Sequence, residues 1–236
     1  MSTLFFIRHG KASFGKENYD ELSETGQRQS MLLARYFEEM NRRFGVIYTG
    51  TLQRHLKTAD ELLSVLKKKN KALPEIRSLE GLNEYPTQEI FPALAPIAIK
   101  ENPSLAVEVG RLMTDRRSFQ KVFEAIMSLW GSGKYDVPGL ISWKEYSEKV
   151  NRSIDEIMEA DGTGKNVAVC TSGGTISVAV QRTLRLSNDT AMKVAEQLVN
   201  TSVSRFKCTH DRIMLFTFNE YPHLEREHDE KLITYR

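Results

Sequence analysis

Residues 4–10 read Leu-Phe-Phe-Ile-Arg-His-Gly, an unbroken apolar run that stops at a turn bearing a guanidinium and an imidazole. A short apolar run without polar alternation, closed by glycine, marks a strand covered on both faces, as in a parallel sheet. Arg8 and His9 then fall at the carboxyl end of a central strand, where open α/β sheets bind their ligands. An imidazole is a nucleophile near neutral pH, and an arginine beside it can fork onto phosphate oxygens. Arg-His-Gly alone is a weak signal; it gains weight only from partners farther along the chain.

The polar stretch 15–27 reads as a loop over the carboxyl edge of the sheet. Ser23 is placed to cap a helix whose apolar face includes Leu32, Phe37 and Met40. Val46–Thr49 reads as a second strand, broken by Gly50, with Thr51 as the expected cap of a helix carrying Leu52, Leu56, Ala59 and Leu63. Arg54 and His55 lie in the first turn of that helix, where unpaired N–H groups attract anions. Ile76–Leu79 is a third short strand, followed by a turn bearing Glu84. Pro92, Pro96 and Pro103 are expected to break the chain before a helical run from Leu105 to Trp130, so that residues 89–139 form a helical insertion over the site. Its basic residues (Lys100, Arg111, Arg116, Arg117 and Lys121) are candidates for specificity or merely solvated.

Ser142–Ala160 is expected to form an amphipathic helix, and Asp161–Lys165, "DGTGK", a turn. A P-loop would place these glycines after a strand and before a helix, so nucleotide binding here is rejected. Val167–Thr171 is a second buried strand, Gly173-Gly174 its turn and Thr175–Leu184 a helix. Ser172 thus stands to its strand as His9 stands to the first. The match to a hydrolase nucleophile elbow is poor, because Cys170 occupies the place of the first glycine. A hairpin about Thr209-His210-Asp211 ends the sheet.

At 236 residues, 40% hydrophobic and 27% charged, the composition is that of an ordinary globular chain. A net charge of +2 gives no field directed at nucleic acid or membrane. The cluster Lys67, Lys68, Lys69 and Lys71 closes a helix and faces water. No apolar run approaches a membrane span, and the first strand is too short for a secretion signal. Cys170 and Cys208, both in apolar strands, read as buried free thiols, and a cytoplasmic location is expected.

Six blocks carry a resemblance over nearly the whole chain: "IRHGKAS", "YTGTLQRHLKTA", "GLNEYP", "VAVCTSGGTI", "NTSVSRF" and "NEYPHL". They resemble the histidine phosphatase superfamily, the phosphoglycerate mutase-like proteins. The expected fold is an α/β three-layer sandwich, with a mostly parallel central sheet and helices on both faces. Residues 1–236 are expected to form a single domain that includes the insertion.

By this resemblance His9 takes the phosphoryl group and Arg8 and Arg54 clamp its oxygens. Glu84 protonates the departing alcohol and then activates water. Ser172 and Gly173 complete the phosphate site. Phosphoryl transfer needs positioning and charge neutralisation above all, which two guanidiniums supply, so no metal and no cofactor is expected.

The departure is Ser172, since the family's usual motif has His-Gly after this strand. A hydroxyl donates one neutral bond, and loss of a preorganised donor can cost ~10²–10³ in rate. Gly173 and Gly174 are expected to leave room for a histidine at position 172. His55, about 100° around the helix from Arg54, is expected to point away from the site, and His223 to lie in the terminal segment without a catalytic role.

The expected function is a slow phosphatase for a small phosphorylated metabolite or a phosphoprotein. The alternative is a phosphate-ligand binding or regulatory protein on the same scaffold. A mutase is disfavoured by the missing histidine and by the absence of a substrate-clamping arginine segment. No nucleic-acid or membrane partner is expected, and a homodimer stays open, with Trp130 and Trp143 flanking a candidate exposed apolar patch.

Overall fold

The computed structural model describes residues 1–13, 20–68, 73–112 and 114–235. Six strands form one sheet: β1 (Ser2–Arg8), β2 (Val46–Thr49), β3 (Glu75–Ser78), β4 (Asn166–Thr171), β5 (Val203–Cys208) and β6 (Ile213–Glu220), in the order β3-β2-β4-β1-β5-β6. β3, β2, β4 and β1 run parallel, while β5 is antiparallel to both β1 and β6. The antiparallel edge follows from the tight hairpin, since a parallel return would need a long crossover.

β1 is buried at every position because both faces are covered. Leu4 and Phe6 point into one core and Phe5 and Ile7 into the other, the two-residue period of a strand. On the Phe5 side lie α1 (Glu24–Glu39) and α2 (Gln53–Lys68), through Leu33, Phe37, Leu62 and Leu63. The Phe6 side meets α6 (Trp143–Asp161), through Val150 and Ile154, and α7 (Gly173–Leu184), through Ile176 and Val180. Each such side chain is worth roughly 1.5–3 kcal/mol of burial. A charge at Phe6 would therefore unfold the centre of the sheet.

Ser23 caps α1 by accepting from the Gly26 N–H, and Ser142 and Glu145 form a reciprocal capping box on α6. Thr51 does not cap α2: the carboxylate of Asp20 accepts from the Gln53 N–H at 2.7 Å instead. α8 (Asn188–Gln197), capped by Ser187, has no counterpart among the expected elements.

Two further expectations are corrected. Pro92 and Pro96 lie inside α3 (Thr87–Glu101) and do not break it. Ile90, Leu94 and Ala98 bury one face of α3 at four-residue spacing, and both prolines fall on the exposed face, away from the packed side. α4 (Leu105–Val109) and α5 (Arg116–Ser132) complete this helical segment. Trp130 and Trp143 form no exposed patch: they pack edge-on with ring centroids 5.4 Å apart, and Trp130 donates to the Ile141 carbonyl.

Cys170 and Cys208 are buried free thiols, kept apart by β1, which lies between their strands. Lys67 is exposed, while Lys69 and Lys71 lie outside the described residues. No helix among the described residues is long and apolar enough to cross a membrane.

Candidate active site

β1 and β4 are in register, Arg8 opposite Thr171, so the turns at their carboxyl ends lie side by side. The His9 N–H donates to the Thr171 carbonyl at 2.8 Å, which ties the two turns together. The His9 carbonyl accepts from Asn200 Nδ2 at 3.1 Å and from the Thr201 N–H. Thr201 holds its positive φ of 61° under a bond between its hydroxyl and Nε2 of His223. His223 is therefore a buried support two contacts from the site, and burial pushes its pKa down to about 3.

His9 Nδ1 lies 2.7 Å from the Gly10 carbonyl. A carbonyl can only accept, so Nδ1 carries the proton and Nε2 keeps its lone pair. Burial, then the Arg54 guanidinium, the neighbouring His55 ring and the Arg8 guanidinium, hold His9 well below the ordinary histidine range. The ring is thus neutral and nucleophilic at neutral pH. Arg8 and Arg54 are themselves buried. Nη1 of Arg8 donates to the Leu198 carbonyl. Arg54 pairs with Asp20 at 2.6 Å, a second task for the carboxylate that caps α2.

Glu84 lies beyond β3 and a short turn, and it reaches the start of α7. Its carboxylate accepts from the N–H groups of Tyr85 at 3.2 Å and Gly174 at 3.3 Å. The turn is fixed from beneath, where Thr171 and Thr175 donate to the Leu82 carbonyl and the Tyr146 hydroxyl donates to that of Asn83. Burial lifts the carboxyl of Glu84 above its usual range against the opposing pull of Arg54. Position 174 must be glycine, because a Cβ there would sit 2.1 Å from Glu84 Oε1.

Gly173 lies against Arg8, where a Cβ would be 3.8 Å from Nε. The fold therefore brings Arg8, His9, Arg54, Glu84, Ser172 and Gly173 to one end of the sheet. The chemistry available is a neutral nucleophile beside two fixed cations, with a carboxyl poised to exchange a proton.

Two expectations about this site change. His55 does not point away: its Nε2 is 2.6 Å from Ser172 Oγ and its ring centroid 5.5 Å from that of His9. The first turn of α2 abuts the ends of both β1 and β4, so two successive helix residues face different parts of the same site. Nor is there room behind Ser172, which is fully buried between His55 and a turn whose space Glu84 and Tyr85 fill. Asp20 carries no sequence signal, being an ordinary loop residue brought in by the fold, and Asn200 and Thr201 lie in the block "NTSVSRF" but the sequence assigns them no role there. Lys100, Arg111, Arg117 and Lys121 are exposed, and Lys121 is paired with Glu108; the side chain of Arg116 lies outside the described residues.

The family model of the histidine phosphatase superfamily (branch 1) matches residues 4–102 and 87–221, and the chain belongs to that superfamily. No curated protein sequence matches. Among solved structures, the chain is similar to a phosphoserine phosphatase from Entamoeba histolytica in complex with 3-phosphoglyceric acid. Identity is 22% and TM-score 0.63, covering 95% of this chain and 100% of that one. It is also similar to a phosphoglycerate mutase from Bacillus anthracis, at 17% identity and TM-score 0.62 over 97% of both chains. A third similar structure is a mycobacterial glucosyl-3-phosphoglycerate phosphatase, at 17% identity and TM-score 0.57, covering 92% of this chain and 98% of that one.

Proposed function

We propose that the chain is a phosphatase that hydrolyses phosphoric monoesters of a small metabolite or a phosphoprotein through a phosphohistidine on His9. The observation that supports this best is the state of His9: Nδ1–H is held by the Gly10 carbonyl, which leaves Nε2 as an unprotonated nucleophile. In the first half-reaction Nε2 forms the N–P bond while the P–O bond to the leaving group breaks. Arg8 and Arg54 neutralise the phosphoryl oxygens, and Glu84, whose carboxyl is lifted above its usual range by burial, gives its proton to the departing oxygen. In the second half Glu84 takes a proton from water, whose oxygen attacks phosphorus as the N–P bond breaks. Ser172 and Gly173 bind phosphoryl oxygens at the head of α7, and no step is assigned to a metal. The helical segment 89–139 covers the site and sets specificity.

The second reading, a phosphate-ligand binding or regulatory protein, draws on the Asp20–Arg54 pair, which sets a carboxylate on one arm of the clamp. The two readings separate in one experiment. Wild-type protein is given a ³²P-labelled aryl phosphate, quenched, and digested. The phosphatase reading expects acid-labile label on His9 and none in His9→Ala, which keeps its fold. Unaltered turnover in His9→Ala refutes the mechanism, and phosphate binding without turnover in the wild type selects the second reading.

A further inference from the structure

His55 is left without a task by the mechanism above. It is fully buried, and its Nδ1 has no hydrogen-bond partner among the described residues. Gly50 makes space for the ring, since a Cβ there would lie 2.2 Å from Nδ1. Its other nitrogen meets Ser172 at 2.6 Å. Ser172 stands at the N-cap of α7 in extended conformation, where serine ordinarily accepts from the helix's own N–H groups, yet its hydroxyl makes no capping bond. The hydroxyl is committed to His55 instead. Burial and the neighbouring Arg54 keep His55 neutral, so the ring carries one proton on one nitrogen or the other.

We propose that His55 is a positioning residue for phosphoryl transfer, with its Nε2–H donating to Ser172 Oγ so that the Ser172 hydroxyl proton is turned onto an oxygen of the transferring group. The inference rests on the phosphatase reading of the site. The tautomer follows from the anion. A serine hydroxyl has a single proton. If Nε2 accepted that proton in its bond, Ser172 would present only lone pairs to a phosphoryl oxygen, which repels them. With Nε2 as donor, the serine oxygen is satisfied from behind and its proton is free to point forward. A hydroxyl polarised in this way is also a stronger donor than an isolated one.

The test compares wild type with His55→Ala, His55→Gln, Ser172→Ala and the double variant His55→Ala/Ser172→Ala. Turnover of p-nitrophenyl phosphate is measured beside the affinity for orthovanadate, a mimic of five-coordinate phosphorus. His55→Ala and Ser172→Ala are each expected to lower kcat at least tenfold with KM changed less than threefold, and to weaken vanadate by a similar factor. The double variant should be no worse than the poorer single variant. His55→Gln, whose amide N–H can reach Oγ, should recover most of the loss.

Additive losses in the double variant, or full activity in His55→Ala, would overturn the proposal. So would phosphoserine at Ser172 after acid quench, which would make His55 a base for a second nucleophile. If the wild type does not turn over, the phosphatase reading fails. The vanadate affinities then decide the role of His55, with equal values across the variants counting against it. Should His55→Ala fail to fold, imidazole ¹⁵N spectra of the wild type still decide, because an Nδ1–H tautomer at His55 contradicts the relay.

Discussion

The packing around Ser172 makes a sharp prediction about moving an imidazole from position 55 to position 172. Ser172→His alone inserts a ring where the serine is fully buried and its oxygen already lies 2.6 Å from His55. Overpacking of this kind costs about 1–3 kcal/mol, and it would push His55 or Glu84 out of place. The single variant is therefore expected to lose stability and activity. His55→Ala/Ser172→His empties the volume that the new ring needs. It also replaces a neutral donor, worth about 1 kcal/mol, by one able to carry charge, worth about 1.5–3 kcal/mol. The difference corresponds to roughly a tenfold gain in kcat over wild type. Steady-state hydrolysis of p-nitrophenyl phosphate, with thermal melts of each variant, provides the assay. A tenfold gain in Ser172→His alone would show that the pocket was open, and the packing reasoning would be wrong. A folded but inactive double variant would show that the hydroxyl does something an imidazole cannot, and would favour the phosphate-binding reading.

Two further outcomes are expected. Glu84→Gln should leave affinity for inorganic phosphate nearly unchanged while slowing alkyl phosphates far more than aryl phosphates, because only poor leaving groups need the proton; equal slowing would remove Glu84 as the acid. Acid should destabilise the fold below pH 6.5. Burial lowers the pKa of His9, His55 and His223, so the folded chain holds fewer protons than the unfolded one and loses up to about 1.4 kcal/mol per pH unit for each histidine as pH falls. Glu84, raised in the folded state, opposes this between pH 4.5 and its folded value. The urea midpoint should fall between pH 7 and pH 5.5, with a flatter profile in His223→Gln. An unchanged midpoint would mean that these rings protonate without penalty.

The sheet, and the gathering of four charged or imidazole side chains at one end of it, are readable because each belongs to a local pattern. The apolar runs of β1 and β4 allow little but buried strands, and Arg8, His9, Arg54 and Glu84 sit at strand ends or a helix start, where α/β topology collects side chains. The features that escape such a reading depend on contacts between distant segments. The continuity of α3 through Pro92 and Pro96 depends on which face the tertiary packing leaves to water. The role of Asp20 depends on where a polar loop crosses α2. His55 defeats a helical wheel because the wheel measures angle about one axis, whereas the start of this helix touches the turns after two strands and presents a different side to each. The burial of Trp130 and Trp143 is hidden for a similar reason, as each completes the other's cover.

The tie between His9 and the segment around Asn200 and Thr201 bears on synthesis. His9 leaves the ribosome long before the groups that bind its carbonyl, Asn200 Nδ2 being 191 residues away in sequence. Gln29 waits longer still, with its amide bonded to the Leu232 carbonyl 203 residues on. Until β4, β5 and the turn at Thr201 have emerged, β1 has α1 and α2 on one face but no paired strand, and the His9 backbone lacks its bonds to Thr171, Asn200 and Thr201. On the phosphatase reading, a growing chain is expected to be silent toward phosphate esters until the segment around Asn200 and Thr201 has been made. Truncation a few residues before position 200 should consequently leave a chain that carries every reacting side chain and still cannot assemble them.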